Sequence, residues 1–375
     1  MSSTTQAQLD AHWMQHALQL AWKGQYTTTP NPRVGCVFVQ NGQLIAQGFH
    51  ERAGQGHAEV QAIADARTRG VNLTHSTAYV TLEPCAHQGR TGPCAHALIS
   101  TGVRRVVVAT LDPNPLVAGK GMAMLQAAGI APEVGVLHTE ARWLNRGFFS
   151  RMERQRPWVR LKIASSADGV TALNNGTSQW ITGQAARADG HHLRAQACAV
   201  LTGMGTVQAD DPQLNVRDIA TTRQPMKVVV DAALAISPTA KLLQTGHSVI
   251  AHAQKERPSW LQHHPNANQI TPLHVPETLP PSTPTPRVDL QRLLNELAML
   301  GIQELHVEAG FGLSGAFMQA GLVDEVVQYI APSFLGPGMG LFRLPERSVL
   351  PSSAAWVLHS HEHIGPDLKV VWVHP

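Results

Sequence analysis

A short ordered series of residues constrains this chain more than anything else in it. His57-Ala58-Glu59 is followed, twenty-six positions after the histidine, by Glu83-Pro84-Cys85, and then by Cys94. One imidazole and two thiolates make three ligands for a tetrahedral zinc, with the fourth position open for water. The three lie on separate segments, so a fold that uses them must bring those segments to one point. Zinc lowers the pKa of bound water toward neutrality and makes a nucleophile available. A carboxylate two positions after the ligand histidine can shuttle a proton without binding the metal, and Glu59 has that position.

H-x-E followed by P-C-x-x-C is the pattern of the zinc deaminases. Here eight residues (AHQGRTGP) separate the cysteines instead of two. A longer loop still lets both sulfurs reach one ion, and the insert carries His87 and Arg90, a basic pair suited to a phosphate. H-x-E or Pro-Cys alone is common, and a buried cysteine usually just packs. The ordered combination, at the starts of predicted helices, is much rarer. A purely structural zinc wants four protein ligands, which argues against a non-catalytic metal module. Cys36 and Cys198 stand alone in apolar runs and read as packing.

The chain has 375 residues, a length that suggests two to three domains. Hydrophobic residues are 43% of it, enough for real cores, and no window approaches a membrane span. The first ten residues lack the basic and apolar regions of a signal peptide. Lys and Arg exceed Asp and Glu by only three (29 against 26), too few for a whole-surface nucleic-acid footprint. Four cysteines exclude a disulfide-built scaffold and fit a reducing cytoplasm.

Periodicity predicts a helix over 8–23, a hairpin turning at Asn41-Gly42, and a helix from His57 to Arg69. A strand over 78–82, a helix over 94–100, a strand over 105–110, a helix over 119–128 and a strand over 134–137 complete an α/β layered domain, 1–150. The Arg-rich stretch 138–157 reads as the boundary, or alternatively as one surface helix. A second α/β domain, 151–375, shows strands at 158–164, 198–202, 227–231, 304–308, 323–330 and 368–373. Its helices are expected at 183–196, 290–300 and 314–320, with a Pro-rich surface connection over 276–287.

TPNPRVGCV, HAEVQAI, AYVTLEPCAHQGRTGPC and LDPNPLVAGKG resemble the deaminase half of the bifunctional riboflavin-biosynthesis deaminase/reductase family. That family shows the extended Cys–Cys spacing. LKIASSADGVTA, SQWIT, LRAQACAVLTGMGTVQADDPQLNVR and VEAGFGLSGAFMQAGLVDE resemble its reductase half. The resemblance covers nearly the whole chain and is weakest at about 235–290 and 340–375. It implies a cytidine-deaminase-like three-layer domain followed by a dihydrofolate-reductase-like α/β domain. It implies two successive reactions on small phosphorylated pyrimidines. Zinc-dependent deamination of a diaminopyrimidinone carrying a ribosyl 5′-phosphate comes first, and reduction of the ribosyl to ribityl with NADPH comes second. Carried over, His57, Cys85 and Cys94 hold zinc, and Glu59 is the catalytic proton shuttle. Asn31, Asp112 and Asn114 either shape the pyrimidine pocket or simply build turns.

Gly310-Phe311-Gly312-Leu313-Ser314-Gly315 fits G-x-G-x-x-G between a predicted strand and a predicted helix. Glycines let the backbone approach a diphosphate, and helix N–H groups bind the anion. The acidic residue expected about twenty positions later in a Rossmann unit is not evident. The segment therefore reads as a phosphate-binding strand–loop–helix in another fold, or as a glycine-rich turn. The resemblance implies NADP contacts from Ala164, Trp180, Thr206, Asp210 and the 310–316 loop (Gly310, Phe311, Gly312, Leu313, Ser314, Gly315, Ala316). It implies substrate contacts from Ser178, Arg194, Leu214, Arg217 and Glu308. Arginines can fork onto a phosphate, and a strand-end carboxylate can hold ribose hydroxyls. Read alone, Arg194 is also a solvated helix residue and Asp210 a cap. After the strand ending at Asp231 the family often has a serine; this chain has Ala232, which puts one cofactor hydrogen bond in doubt. No residue of the second half announces itself as the proton donor.

A zinc nucleoside or nucleic-acid deaminase with an unrelated accessory domain is the alternative. It would want a two-residue Cys spacing and a basic face with aromatics, whereas aromatics are 5% here. The composition gives no sign of nucleic-acid or membrane partners. Members of the family often form homo-oligomers, and the low charge is compatible with buried interfaces.

Overall fold

Asn41 and Gly42 take φ of 52° and 73°, the left-handed pair that a two-residue hairpin turn needs. They join β1 (Gly35–Gln40) to β2 (Gln43–Phe49). The structure is a computed structural model describing residues 5–86, 92–115, 117–278, 286–349 and 355–374. His87, Arg90 and most of the Pro-rich 276–287 stretch lie outside the described residues. The chain divides into two compact units, Met1–Arg154 and Gln155–Pro375.

In the first unit α1 (Gln6–Trp22) precedes the hairpin, and its N-terminus is closed by a Thr5–Gln8 capping box. There follow α2 (Ala58–Thr68), β3 (Thr77–Val80), α3 (Cys94–Ser100), β4 (Arg105–Val108), α4 (Lys120–Ala127) and β5 (Pro132–Val134). The sheet order is β2-β1-β3-β4-β5. β1 runs antiparallel to β2 and β3, while β3, β4 and β5 are parallel. Alternation along β1 sends Cys36 and Phe38 to one face, under Ala58, Ala62 and Leu98. Val37 and Val39 face the other way, against Met14, Ala17 and Ala21 of α1. The result is three layers.

Two expectations are corrected here. The last strand lies at Pro132–Val134, not 134–137. The stretch 138–157 is not one surface helix, and the two units divide inside it, after Arg154. It forms α5 (His138–Leu144) and α6 (Arg146–Arg154) within the first unit. The arginines misled because their stems pack. The Arg142 guanidinium lies 4.1 Å from the Phe149 ring centroid, and Phe148 and Phe149 are buried with Leu82. At the α5–α6 junction Asn145 accepts from the Arg33 N–H at 2.8 Å and donates to the Arg33 carbonyl at 2.8 Å. The Arg-rich segment therefore pins the Pro/Asn loop that precedes β1.

The second unit contains β6 (Trp158–Ser166), β7 (Ala172–Leu173), α7 (Gln184–Gln196), β8 (Ala199–Gly203), α8 (Met204–Asp210) and β9 (Met226–Val230). It continues with β10 (Ser248–His252), α9 (Trp260–His263), β11 (Ile270–His274), α10 (Leu290–Met299), β12 (Glu304–Val307) and α11 (Phe311–Gln319). β13 (Glu325–Ala331), β14 (Gly338–Met339), β15 (Val357–Ile364) and β16 (Asp367–Val373) follow. The nine-stranded sheet has the order β11-β10-β9-β8-β12-β6-β13-β16-β15. The strands from β11 to β13 are parallel, and β16 and β15 close it as an antiparallel hairpin. α10 and α11 cover one face through Leu293, Leu297 and Phe317. α7 and α8 cover the other through Leu193 and Val207. The expected α/β class is what both units show. The reading missed α8, β10, β11 and β15. β11 carries Pro272, which a sheet tolerates only where no ladder bond is needed, as at this edge. β15 is exposed along almost its whole length and has no apolar face to read.

Replacing Asn145 by Ala leaves the buried Arg33 N–H and C=O without these partners. The expected cost is about 2–4 kcal/mol, read as a lowered thermal midpoint of the first unit with that of the second unchanged.

Candidate active sites

His57 is the N-cap of α2, and Cys94 is the first residue of α3. Cys85 lies in the turn after β3. The His57 Nδ1 atom is 3.6 Å from Cys85 Sγ and 3.3 Å from Cys94 Sγ. A tetrahedral zinc about 2.1 Å from nitrogen and about 2.3 Å from sulfur holds such atoms about 3.6 Å apart. The donor set therefore fits the ion in spacing and chemistry. Among the described residues this is the only group of three such ligands close enough to share a metal. Cys85 accepts from the Cys94 N–H at 3.4 Å. Hydrogen bonds from the Cys94 thiol, from His57 and from that N–H lower the Cys85 thiol to about 4 against the opposing effect of burial. The proximity of Cys85 and burial push the Cys94 thiol up.

Glu59 sits in the first turn of α2, 3% exposed. Burial, reinforced by the Cys85 charge, raises its carboxyl to about 7. Asn31 is positioned by more than turn chemistry: its Nδ2 meets His50 Nε2 at 3.1 Å, and His50 Nδ1 meets the Gly56 carbonyl at 3.1 Å. Burial lowers the His50 pKa, so this ring is neutral. Asp112 is engaged in turn chemistry, accepting from the Asn114 N–H at 2.8 Å.

Glu83 was missed by the sequence reading. Its carboxylate accepts the N–H groups of Asp112 at 3.2 Å, Gly119 at 3.0 Å, Gly121 at 3.0 Å and Met122 at 3.3 Å. A Cβ on Gly121 would stand 1.9 Å from the Pro84 carbonyl oxygen, so only glycine lets α4 approach the Pro84-Cys85 turn this closely. An acidic residue directly before Pro-Cys was the available signal.

In the second unit several candidates stand at the C-terminal ends of the parallel strands, where open α/β sheets bind ligands. Ala164 is near the end of β6, Glu308 follows β12, and Gly310 is the N-cap of α11. Thr206 of α8 faces Gly310: a Cβ there would be 3.9 Å from Thr206 Oγ1, and around Gly312 and Gly205 nothing would lie within 4 Å. That leaves an open backbone cradle at a helix N-terminus, as a diphosphate requires. Two members of the hexapeptide turn inward. Gly315 faces the chain's own Arg343 backbone, whose oxygen would be 2.4 Å from a Cβ. Ser314 donates its hydroxyl to the Ala309 carbonyl at 3.0 Å and is buried. Gly315 thus also lets α11 pack closely against the Arg343 backbone. Phe311, Leu313 and Ala316 lie on α11, half-buried. Trp180 is exposed, with the Arg187 guanidinium 4.4 Å from its ring centroid. Asp210, the last residue of α8, accepts from Gln179 Nε2 at 2.6 Å.

Among the substrate candidates, Arg194 and Glu308 meet each other. Arg194 Nε and Nη2 donate to the two Glu308 oxygens at 2.6 and 2.7 Å, and Nη1 donates to the Asn215 carbonyl at 3.0 Å. Here the Arg194 fork is occupied by Glu308, not open to a phosphate. Burial alone would raise Glu308, but Arg194 and His306 hold it well below the usual carboxylate range. Leu214 is buried, whereas Ser178 and Arg217 are exposed. Arg217 donates to the Asn215 side chain at 3.0 Å. Two residues at this site went unread. His306 Nε2 meets Glu308 Oε1 at 3.1 Å. Lys162 on β6 has its Nζ 5.7 Å from the Tyr329 ring centroid. Burial lowers the Lys162 pKa, the Arg194 charge adds to that and Glu308 opposes it. A lysine inside the apolar alternation of LKIAS was the signal.

The cytidine and deoxycytidylate deaminase zinc-binding region matches residues 7–110, and the RibD C-terminal domain matches residues 157–370. The riboflavin biosynthesis protein RibD of Haemophilus influenzae is 46% identical, over 97% of this chain and 97% of that one. The chain belongs to the RibD family. The Escherichia coli RibD is 42% identical, over 96% of this chain and 98% of its own. A solved Acinetobacter baumannii RibD aligns with TM-score 0.87 and 41% identity, covering 99% of this chain and all (100%) of that one. A Thermotoga maritima deaminase/reductase aligns with TM-score 0.85 and 31% identity, covering 99% and 100%. Like other RibD proteins the chain is a bifunctional enzyme of riboflavin biosynthesis, a hydrolytic deaminase and an oxidoreductase, with zinc and NADPH as cofactors. Its folds are the cytidine-deaminase-like and dihydrofolate-reductase-like ones. No helix among the described residues is long and apolar enough to cross a membrane.

The folded Glu59 pKa of about 7 lies above the ordinary 4.5. Between those values the folded chain keeps a proton that the unfolded chain has lost, so this group's contribution to stability falls as pH rises through that window. In metal-free protein, Glu59→Gln should therefore gain stability over the parent between about pH 5 and pH 8, by up to about 3 kcal/mol. Paired thermal melts across that range check it.

Proposed function

We propose that the first unit hydrolyses the 2-amino group from 2,5-diamino-6-(5-phospho-ribosylamino)pyrimidin-4-one. The second unit then reduces the ribosyl group of the product to ribityl with NADPH. The observation that carries this reading is a buried carboxyl with a pKa of about 7 beside a cluster of one imidazole and two thiols spaced to share a zinc. A general acid–base works best near the operating pH. His57, Cys85 and Cys94 would hold the zinc, which supplies an activated water when bound. Glu59 takes a proton from the attacking water and returns it to the departing amine at the ring carbon. Asn31, held by His50, orients the pyrimidine, and the Glu83-clamped loop 112–119 walls the pocket.

In the second unit Thr206, Asp210, Ala164, Trp180 and the N-terminal turn of α11 form the cofactor side, with the nicotinamide placed against the sugar. Glu308 is the ribose-facing group, fixed in its ionised form by Arg194. Ser178, Leu214 and Arg217 complete the substrate side, with exposed Arg217 the arginine available to the phosphate. Lys162 is the proton donor for the sugar oxygen released when C1′ accepts hydride, because burial makes it a readier donor than a solvated lysine. The partners are small phosphorylated pyrimidines rather than nucleic acid, and the compartment is the cytoplasm.

Glu59→Gln should lower ammonia release about 10²–10⁴-fold with zinc content unchanged and reduction of supplied deaminated intermediate intact. Undiminished ammonia release would overturn the deaminase roles. Lys162→Met should give the mirror result: NADPH oxidation lost, ammonia release kept.

A further inference from the structure

Alternation along the three central strands of the second unit gathers Lys162, Glu308 and Tyr329 on one face. Leu161, Val307 and Val326 pack against α10 and α11, so the residues next to them in sequence point the other way, toward α7. β6 lies between β12 and β13, with Leu161 opposite Val307 and Lys162 opposite Val327. Glu308 therefore flanks Lys162 from one neighbouring strand. Tyr329, opposite Ala164 on β13, flanks it from the other, one same-face position further along.

α7 holds both flanks. Its Arg194 takes both oxygens of Glu308. Its Asp189 accepts the Tyr329 hydroxyl, and the Lys369 ammonium lies 2.7 Å from the same Asp189 oxygen. The Tyr329 side chain is fully buried. Burial and the Asp189 charge push its phenol up, so it stays the donor of that bond. A hydroxyl donating to a carboxylate is polarised by it, which makes the ring face more negative.

That face meets a cation. Lys162 Nζ is 5.7 Å from the Tyr329 ring centroid, within the range where an ammonium is attracted to the ring quadrupole. Burial opposes the Lys162 charge, Glu308 favours it and Arg194 opposes it. Glu308 is already engaged by Arg194 and His306, whereas the Tyr329 ring face carries no such commitment. We propose that Tyr329 is a positioning residue of the reduction: its ring face, polarised through Asp189, holds the Lys162 ammonium in place for proton transfer to the sugar oxygen. This role rests on the reading of Lys162 as the proton donor.

The test places phenylalanine, and then mono-, di- and trifluorinated phenylalanine, at position 329 of the full-length protein. The series keeps the ring's shape while its face potential weakens step by step. NADPH oxidation with supplied deaminated intermediate gives kcat and KM. The kcat of reduction should fall in the order parent, Tyr329→Phe, then increasing fluorination, at least about tenfold over the series, with both KM values unchanged. A kcat that stays flat across the fluorinated series, or a loss carried by KM, would overturn the role, since a ring that only packs is indifferent to its face potential. Asp189→Asn keeps the acceptor and removes the charge, and Lys369 retains Glu362. That variant should lower kcat in the same direction even if the ring variants do not fold, and an unchanged kcat counts against the role. Lys162→Met separates the two readings. Reduction at the parent rate in that variant removes the donor assignment and the positioning role together. An inactive Lys162→Met beside a flat fluorinated series leaves Lys162 as donor and Tyr329 as packing alone.

Discussion

Four backbone N–H groups converge on the Glu83 carboxylate, and the deaminase site depends on that convergence. Glu83 is two residues before the ligand Cys85, and its donors come from the loop and helix start over 112–122. A charged acceptor makes such bonds roughly twice as strong as neutral ones. One side chain therefore ties the Pro84-Cys85 turn to Asp112 and to the start of α4. The close approach at Gly121 locks the same joint sterically. Asn145 performs the corresponding task on the other side, holding the loop of Asn31 and Arg33 to the α5–α6 junction.

The second unit solves a different problem. Its cofactor supplies the reducing chemistry, so the protein has to place charge and exclude alternatives. Arg194, Glu308 and His306 form one buried chain of donors and acceptors beside Lys162. The neutral His306 donates to a carboxylate that Arg194 keeps ionised. Glu308 stands just past the end of β12, while His306 and Lys162 lie within their strands and Arg194 comes from α7.

Much of this was legible beforehand. The hairpin at Asn41-Gly42, α3 from Cys94 to Ser100 and the ordered H-x-E and Pro-Cys motifs all follow from local chemistry. What failed to show was set by distant partners. α5 and α6 looked like a charged connection because arginine stems hide their apolar packing from a hydropathy reading. β15 carries no buried face, and β11 contains a proline that only its edge position permits. Lys162 and His306 read as ordinary strand residues until Glu308 and Arg194 were placed beside them.

The sequence by itself determined the two α/β classes and the ordered histidine, glutamate and cysteines of the first unit, because these depend on residue identity and short-range spacing. Tertiary structure decided what those groups are worth. It brought the imidazole and two thiols within 3.3–3.6 Å of one another and buried Glu59 until its pKa reached about 7. It gave Arg194 to a carboxylate and turned Gly315 to packing. Burial and electrostatic partnership are properties of neighbours in space, and local sequence does not specify which neighbours the fold will supply.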